Sequence, residues 1–361
     1  MTDSVSILLV GCGAVSQLFY APTLRELKRH GIVYIEGVVD PLEKARTNLG
    51  RELGAPAFSS LEKGLKCRPK LVIVASPPKF HREQTEMCLR SETHVLCEKP
   101  LASNAADARA MAEAARESGK LLAVGHYKRF MPAHWVLRDC IEKKTFGALQ
   151  HIEMAEGGKF GWPAATDSFF RPEQTPGGVL YDIGVHVLDL ILWWLGEPER
   201  FEYQDDRRDG LEANCVLTAR FANHASLRLR LSRDWPTPQC YYFRFERAGI
   251  HCRVNASNFL ELSFEGLEPG FAARLTQPAA PKPTSAAPSL ETNAQSFIAQ
   301  LENVCKAIRG EAPLEATAED GVNVMNWIEQ CYARRIPLSE PWNEPPPQES
   351  ANQSDRAEVS P

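Results

Sequence analysis

The apolar segment GGVLYDIGVHVLDLILWWLG, residues 177–196, carries short polar side chains that could take part in chemistry. Asp182, His186 and Asp189 follow one another at intervals of four and three residues, so a helix would place them on one stripe. An imidazole can accept or donate a proton near neutrality, and a carboxylate can orient it or a hydroxyl. The spacing is also that of an ordinary polar helix face, but this stripe, which continues to Trp193, has no Lys, Glu or Arg. Its composition therefore argues against a merely solvated face, and both interpretations stay open from this segment alone.

A second group of residues is suited to hold a nucleotide. ILLVGCGAVSQLF places Gly11 and Gly13 directly after an apolar run and before a helical pattern, with Ser16 at the third position of a dinucleotide fingerprint. Gly11 would allow the tight turn, and Gly13 would let backbone approach a pyrophosphate. The helix would begin near Ala14 and Val15, where N–H groups and the positive end of the helix dipole favour phosphate.

Asp40 is suited to bind a ribose. It ends the run IEGVVD, where a second strand should stop, and its carboxylate could accept hydrogen bonds from a ribose diol. It would also repel a 2′-phosphate, and Pro41 and Leu42 put no basic residue beside it, so NAD is favoured over NADP. The interval from Gly11 is longer than usual, and a simple strand-end turn with Pro41 is the alternative.

Composition restricts the class of protein. The 361 residues carry a formal charge of −5 with dispersed Lys and Arg, which argues against nucleic-acid and anionic-membrane partners and favours a small neutral or polar ligand. The longest apolar stretch, Leu190 to Leu195, is too short to cross a bilayer, so we expect a cytoplasmic protein. The ten cysteines form no CxxC pair and no zinc-like cluster, so neither a disulfide framework nor a metal is expected.

The elements that must position these residues follow two patterns. Residues 1–125 alternate strand-like runs with helical patterns, which predicts a doubly wound parallel sheet of the Rossmann type. Residues 126–343 contain a helical stretch and then alternating runs joined by short turns, which indicate an α+β domain with an open, mainly antiparallel sheet. The fold class is therefore α/β, with a nucleotide-binding first domain and a second domain of α+β type.

Several local features complete the predicted arrangement. The helix 178–195 and a late helix near 293–309 are expected to pack on the second sheet, and Gly177 and Gly178 could let backbone or a ligand approach closely. The stretch 277–290, rich in Pro, Ala and Ser, is expected to be an exposed loop or short linker. The tail 344–361 lacks a hydrophobic pattern and is expected to be disordered.

At ASPPKFHREQTEMCLRSETHVLCEKPLA, residues 75–102, the chain resembles the Gfo/Idh/MocA family of nicotinamide-dependent oxidoreductases, which includes glucose-fructose oxidoreductase and inositol dehydrogenases. The resemblance runs from GCGAVS through CEKPLA to GGVLYDIGVH. It implies a Rossmann domain followed by an open, mainly antiparallel sheet that often mediates assembly, so a homodimer or homotetramer is expected.

The resemblance also implies catalytic residues. In such enzymes the lysine of the EKP motif and the Asp and His of the DxGxH motif lie beside the nicotinamide, which here implies Lys99, Asp182 and His186. Interconverting an alcohol and a ketone needs hydride transfer to or from the cofactor and proton transfer at the same oxygen. His186 would carry the proton, Lys99 would stabilise developing alkoxide charge, and Asp182 would orient the substrate or the imidazole.

Other residues are expected to border the cofactor or the substrate. The end of the fourth strand and the EKP motif supply candidate cofactor neighbours: Ser76, Pro77, His81, Glu98 and Lys99. Candidate substrate neighbours are Tyr127, Arg129, Trp162, Asp182 and His186. Arg129 would hold hydroxyls, phosphate or carboxylate, and Trp162 with Trp193 could form an aromatic wall for a sugar face, although such tryptophans are more often core.

Together with these residues, the resemblance implies an NAD-dependent dehydrogenase or reductase acting on a secondary hydroxyl or keto group of a sugar, cyclitol or sugar derivative. Two alternatives stay open. One is an NAD-dependent glycosidase of the same family, and the other is a ligand-sensing regulator of similar fold without turnover. A regulator has no need for a complete Lys, Asp and His set, and this chain has one.

Overall fold

Two sheets organise the chain in the computed structural model, which describes residues 4–163, 170–171, 173, 175–208, 210–254, 258–275 and 288–338. The first sheet has six strands, all parallel, in the order β3-β2-β1-β4-β5-β6. They are β1 (Val5–Val10), β2 (Val33–Val39), β3 (Ala57–Phe58), β4 (Leu71–Val74), β5 (His94–Cys97) and β6 (Leu122–Val124). This order is that of the Rossmann fold, and the predicted parallel sheet is confirmed.

Burial explains why these segments form parallel strands. Every residue of β4 is buried, and β1 is buried at all but one position, because helices cover both faces. The helices that connect the strands are α1 (Ala21–Arg29), α2 (Glu43–Leu53), α3 (Leu61–Leu65), α4 (His81–Arg90) and α5 (Ala105–Ser118). A π-helical turn, Ser16–Tyr20, leads into α1. The strand order reverses between β1 and β4, where a Rossmann fold opens its ligand crevice.

The second sheet has nine strands in the order β14-β13-β12-β11-β7-β10-β9-β8-β15. They are β7 (Leu149–Gly157), β8 (Arg200–Asp205), β9 (Asn214–Arg220), β10 (Ser226–Ser232), β11 (Cys240–Phe245), β12 (Gly249–Arg253), β13 (Phe259–Phe264), β14 (Leu267–Arg274) and β15 (Ile336–Pro337). The neighbours are antiparallel except β7 with β10 and β8 with β15. In β10, Leu227, Leu229 and Leu231 are buried while the arginines between them are half-buried, as expected for a sheet covered on one face.

Three helices that come after the strands of the first sheet contribute to the core between the two sheets. They are α6 (Pro132–Glu142), α7 (Val185–Leu195), which continues from a π-helical turn at Leu180–Gly184, and α9 (Ala318–Ala333). Thr317 and Asp320 form a capping box at the start of α9, which packs against both α5 and α7. Among the described residues, no helix combines the length and the apolar character needed to cross a membrane.

The late helix packs differently from the prediction. Helix α8 (Pro288–Ile308) contacts α1 of the first domain, and its Phe297 and Leu301 belong to the same core as Ile7. The chain after α8 also stays with the first sheet, since the Val124 N–H donates to the Ala316 carbonyl at 3.1 Å. The expectation that this helix covers the second sheet was wrong, because periodicity identifies an apolar face without identifying the surface that it covers.

Some predicted features fall outside the part of the chain that the structure describes. Residues 277–287 of the predicted loop and the predicted tail 344–361 lie there, while residues 288–290 begin α8.

Candidate functional site

The glycine turn after β1 is held in a shape that requires glycine at its first position. Gly11 has φ +88°, and a Cβ there would lie 2.5 Å from the Ala75 carbonyl oxygen. The Ser16 hydroxyl donates to the Gly11 carbonyl at 2.5 Å, which closes the turn. A Cβ on Gly13 would meet no atom within 4 Å, so open space lies beside it at the start of the helix, where Ala14 is half-buried. This arrangement suits a pyrophosphate.

Asp40 stands directly beside the glycine turn. Its Oδ2 accepts from the Cys12 N–H at 2.8 Å and its Oδ1 from the Leu42 N–H at 2.8 Å, so backbone donors orient the carboxylate. Arg46 of α2 donates to the Pro41 carbonyl at 2.9 Å and lies 3.5 Å from the Asp40 carbonyl oxygen. The expectation that no basic residue borders Asp40 was therefore wrong, because one helical turn of α2 brings Arg46 back to the strand end.

His81 is buried and connects two loops. It is fully buried, with Nε2 2.7 Å from the Ser76 carbonyl oxygen and Nδ1 3.0 Å from that of Pro100. Burial lowers its pKa. The prediction that His81 borders the cofactor does not match this geometry, because backbone carbonyls engage both ring nitrogens. The neighbouring Ser76 is half-buried and donates to Gln84 at 2.6 Å, and Pro77 is exposed at the same strand end.

The EKP motif follows β5 and lies at the same edge of the sheet. Glu98 is buried, accepts from the Tyr20 hydroxyl at 2.7 Å, and accepts from the Lys99 N–H at 3.1 Å. Burial raises the pKa of this carboxyl. The Lys99–Pro100 peptide is cis. Glu98 is thus enclosed by protein, while Lys99 is directed towards the second domain.

Lys99 meets Asp182 between the two domains. Its Nζ lies 3.0 Å from the Asp182 carbonyl oxygen and 3.3 Å from Oδ1, and both side chains are about a fifth exposed. The other carboxylate oxygen, Oδ2, lies 3.2 Å from Nη2 of Arg233, which also donates to the Gly178 carbonyl at 3.0 Å. Two cations therefore hold the Asp182 carboxylate. Arg233 was not identified from the sequence. Its position directly after the alternating strand β10 was the one feature that could have indicated it.

His186 follows Asp182 by one turn and lies deeper. Its side chain is 9% exposed and meets Tyr127 edge to face, with ring centroids 5.0 Å apart. Nδ1 is buried and has no hydrogen-bond partner among the described residues. Burial, with the positive charges of Lys99 and Lys128, holds the pKa of His186 well below 6.5. At neutral pH the ring is therefore an uncharged proton acceptor.

A buried charged group that sequence reasoning missed lies behind Tyr127. Lys128 Nζ donates to both oxygens of Glu156, at 2.6 and 2.7 Å, and to the Tyr241 hydroxyl at 3.2 Å. The Tyr241 hydroxyl also donates to Glu156. In the sequence, this buried group is indicated only by the charged Lys128 inside GHYKRF, because its partners Glu156 and Tyr241 are distant in the chain. The charge of Lys128 contributes to the low pKa of His186.

Arg129 and Asp189 do not line the site. Arg129 Nη2 lies 2.6 Å from Asp189 Oδ1 and 3.0 Å from Asp320, and Nη1 donates to the Glu315 carbonyl at 2.7 Å. Arg129 is 2% exposed and Asp189 is fully buried. The expectation that Arg129 binds substrate does not match this geometry, because two carboxylates and a carbonyl engage its guanidinium inside the protein.

The predicted stripe of Asp182, His186 and Asp189 is divided in the structure. Asp182 lies in the π-helical turn Leu180–Gly184, whereas His186 and Asp189 both lie in α7, where a spacing of three residues directs two side chains about 60° apart. Asp182 and His186 lie near Lys99, whereas Asp189 points into the core.

Aromatic rings connect the glycine-turn helix to His186. The exposed Trp162 is parallel to Phe19 with centroids 6.2 Å apart, Phe19 stacks on Phe297 at 4.8 Å, and Phe297 stacks on Tyr127 at 4.9 Å. Trp162 thus offers an exposed ring near the nucleotide side of the cleft. Trp193 packs instead against Trp135 and Arg138, so it does not join this wall.

The residues at this edge fit a dinucleotide. The Gly11 turn, Asp40, Ser76 and Lys99 follow four neighbouring parallel strands, whose carboxyl ends share one edge of the sheet. Open space beside Gly13 could receive a pyrophosphate, and the buried Nδ1 of His186 has no hydrogen-bond partner among the described residues. Among the described residues no group of His, Cys, Asp and Glu could hold a metal ion.

Comparison with known proteins gives matches in both halves of the chain. Residues 5–126 match the model of the GFO/IDH/MocA oxidoreductase family, NAD-binding Rossmann fold, and residues 134–254 match the model of the GFO/IDH/MocA C-terminal domain. D-glucoside 3-dehydrogenase of Escherichia coli is 37% identical over 37% of this chain and 38% of its own length. scyllo-Inositol 2-dehydrogenase (NADP(+)) IolW of Bacillus subtilis is 25% identical over 91% of this chain and 92% of its own length.

Solved structures share the fold. A levoglucosan dehydrogenase in complex with NADH and levoglucosan has a TM-score of 0.78 at 16% identity, and covers 92% of this chain and 97% of that one. The aldose-aldose oxidoreductase of Caulobacter crescentus, in complex with glycerol, has a TM-score of 0.78 at 20% identity and covers 92% and 97%. At these identities the likeness shows the fold alone.

Proposed function

The chain belongs to the Gfo/Idh/MocA oxidoreductase family, and from that premise we propose that it interconverts a secondary alcohol and a ketone on a sugar, cyclitol or sugar derivative, with NAD as the hydride carrier. The observation that carries the proposal is the contact of Lys99 with Asp182 beside His186, at the sheet edge that also holds the glycine turn. The names of the relatives, which include glucoside and inositol dehydrogenases, support the substrate class.

The chain's own residues would hold the cofactor in a defined orientation. When bound, NAD supplies the carbon that accepts or donates hydride. N–H groups at the start of the helix after Gly13 would receive the pyrophosphate, and Asp40 would accept hydrogen bonds from the ribose hydroxyls. We propose NAD over NADP because the Asp40 carboxylate would repel a 2′-phosphate. The neighbouring Arg46 weakens this preference, and IolW is named as NADP-dependent.

Proton transfer would fall to His186. Its pKa is held below the ordinary range, so the neutral ring can take a proton from a substrate hydroxyl as hydride leaves the same carbon. The Lys99 ammonium would stabilise the negative charge that develops on that oxygen. Asp182, held between Lys99 and Arg233, would fix the lysine and orient a hydroxyl.

Two aromatic side chains support a carbohydrate as the substrate. Tyr127 and the exposed Trp162 present aromatic rings at the two ends of the stacked row, and such rings pack well against the C–H face of a sugar.

The proposal also includes assembly into a homodimer or homotetramer, which rests on the family resemblance. The interface would be the uncovered face of the nine-stranded sheet, where Arg228 and Glu153 pair.

The test is a titration with NADH and, separately, NADPH, followed by energy transfer from tryptophan to nicotinamide. The wild type, Lys99→Met and His186→Ala should all bind NADH and favour it over NADPH. Turnover of polyols and keto sugars should be lost in both variants, because each removes a group that acts on the reacting oxygen. Absence of nicotinamide binding in the wild type would overturn the enzymatic function, and loss of binding in both variants would contradict the roles given to Lys99 and His186.

A further inference from the structure

Glu212 is a buried acid that no step of the proposed reaction uses. It lies in the loop between β8 and β9 and is 1% exposed. Its carboxylate accepts from the Gly178 N–H at 3.0 Å and the Leu180 N–H at 3.1 Å, and the Tyr332 hydroxyl donates to it at 2.7 Å. The Glu212 carbonyl accepts from the Val179 N–H at 3.1 Å. One residue therefore satisfies three successive N–H groups at the start of a helix.

The helix that Glu212 holds is the one that carries Asp182 and His186. A carboxylate at the N-terminus of a helix interacts favourably with the helix dipole, and this one is shielded from water. Burial raises the pKa of Glu212, while its hydrogen bonds with Tyr332 and the backbone act in the opposite direction. The carboxylate thus joins three parts of the chain: the β8–β9 loop, the helix start and α9.

The glycine pair before the helix makes this contact possible. A Cβ on Gly178 would lie 2.0 Å from the Glu212 carbonyl oxygen and 2.8 Å from its carboxyl carbon. A Cβ on Gly177 would lie 2.1 Å from the Tyr332 hydroxyl. Both distances are far below van der Waals contact. Glycine at both positions therefore leaves the space that Glu212 and Tyr332 need in order to reach the helix start.

A continuous set of hydrogen bonds leads from Glu212 to the candidate catalytic residues. Gly178 donates its N–H to Glu212, and its carbonyl accepts from Arg233 at 3.0 Å and from the Asp182 N–H at 3.1 Å. Arg233 in turn contacts the Asp182 carboxylate, which contacts Lys99. A shift of Gly178 would therefore displace Asp182 and Arg233 together.

We propose that Glu212, held by Tyr332, is a positioning residue for the oxidoreductase reaction: it anchors the helix start that sets Asp182 and His186 opposite Lys99. This inference rests on the proposed function. Glu212 itself touches neither substrate nor cofactor in this assignment, and it acts through Gly178.

The experiment compares Glu212→Gln and Tyr332→Phe with a matched control, Asp205→Asn. Asp205 is also a fully buried carboxylate, but it accepts from Arg335 and from the Arg207 N–H, whereas Glu212 accepts from the N–H groups of the helix start. Glu212→Gln keeps the shape of the side chain and loses acceptor capacity, and Tyr332→Phe loses one donor. We expect kcat to fall roughly 10–100-fold in Glu212→Gln and less in Tyr332→Phe, because small displacements of reacting groups are costly. NADH affinity should stay unchanged, and Asp205→Asn should lose stability with kcat unchanged well below its Tm.

A second measurement does not depend on turnover. The imidazole resonances of His186, assigned by comparison with His186→Ala, should shift in Glu212→Gln and remain in place in Asp205→Asn. If the wild type turns over and Glu212→Gln retains its kcat, the positioning role is overturned while the proposed function stands. If the wild type shows no turnover, the proposed function fails, and the His186 resonances alone decide whether Glu212 positions the helix. Unchanged His186 resonances in Glu212→Gln would then overturn the positioning role.

Discussion

Arg129 and Asp189 form a buried ion pair whose role is structural. The guanidinium lies between Asp189 and Asp320 and donates to the Glu315 carbonyl, so it connects the turn after β6 with α7 and the start of α9. A buried ion pair of this kind adds little net stability over a well-packed apolar pair, but removal of one partner leaves a charge without compensation. At the scale of single residues, burial therefore separates this pair from Lys99 and Asp182, which remain partly exposed.

This assignment predicts the behaviour of variants of the pair. Arg129→Met should lower the free energy of unfolding by about 3–5 kcal/mol, and the double variant Arg129→Met/Asp189→Leu should recover part of the loss. Urea unfolding measures both. The KM for substrate should be unchanged in the double variant. A large rise in KM with little change in the free energy of unfolding would instead indicate that Arg129 binds substrate.

The two glycines of the turn after β1, Gly11 and Gly13, have different structural roles, although the dinucleotide fingerprint specifies glycine at both positions. Gly11 combines a positive φ with close approach to the Ala75 carbonyl, so its requirement is conformational. Gly13 has open space beside it, so its requirement arises from what binds there. At the scale of the element, one glycine builds the turn, and the other leaves the open space in which we propose that the pyrophosphate binds.

This difference can be measured with matched substitutions. Gly11→Ala should lower the stability of the cofactor-free protein by more than about 1 kcal/mol, because alanine is strained at positive φ and meets the Ala75 carbonyl. Gly13→Ala should leave that stability unchanged and weaken NADH binding. Thermal unfolding without cofactor and an NADH titration give the two readouts. If Gly13→Ala bound NADH as the wild type does, the pyrophosphate would not lie over Gly13.

Four imidazoles are enclosed in the folded molecule and spread across both domains: His81, His126, His134 and His186. Burial lowers the pKa of each, to about 3 for His134. In the unfolded chain each regains a pKa of about 6.5. At the scale of the whole molecule, folding therefore disfavours the protonated form of these rings under conditions in which the unfolded chain would protonate them.

Acid should consequently destabilise the protein before carboxylates titrate. As pH falls through about 6.5, the unfolded state binds protons that the folded state does not, so the free energy of unfolding should fall by up to about 1.4 kcal/mol per pH unit for each imidazole. Glu98 and Glu212, whose pKa values are raised, act in the opposite direction in the pH range between each group's ordinary pKa and its raised pKa. Urea unfolding between about pH 7 and pH 5 measures the slope. A free energy of unfolding that did not change over this range would contradict the enclosed, neutral state of these rings.

The local pattern of the chain is sufficient for the elements and for part of the site. Unbroken apolar runs such as LVIV identify strands buried on both faces, and alternation such as LRLRLS identifies strands covered on one. The glycine turn, Asp40 at a strand end and the motifs that carry Lys99, Asp182 and His186 are equally local. They could be recognised without coordinates because each depends on neighbours in the sequence.

Tertiary structure decided which surfaces and side chains meet. The packing of α8 on the first domain, the contact of Arg233 with Asp182 and the three N–H groups held by Glu212 all join residues that are distant in the chain. Periodicity indicates that one face of an element is buried, and residue type indicates that a buried charge needs a partner. Neither specifies the partner, because that choice depends on distances of a few ångströms that exist only once the helices and sheets have packed.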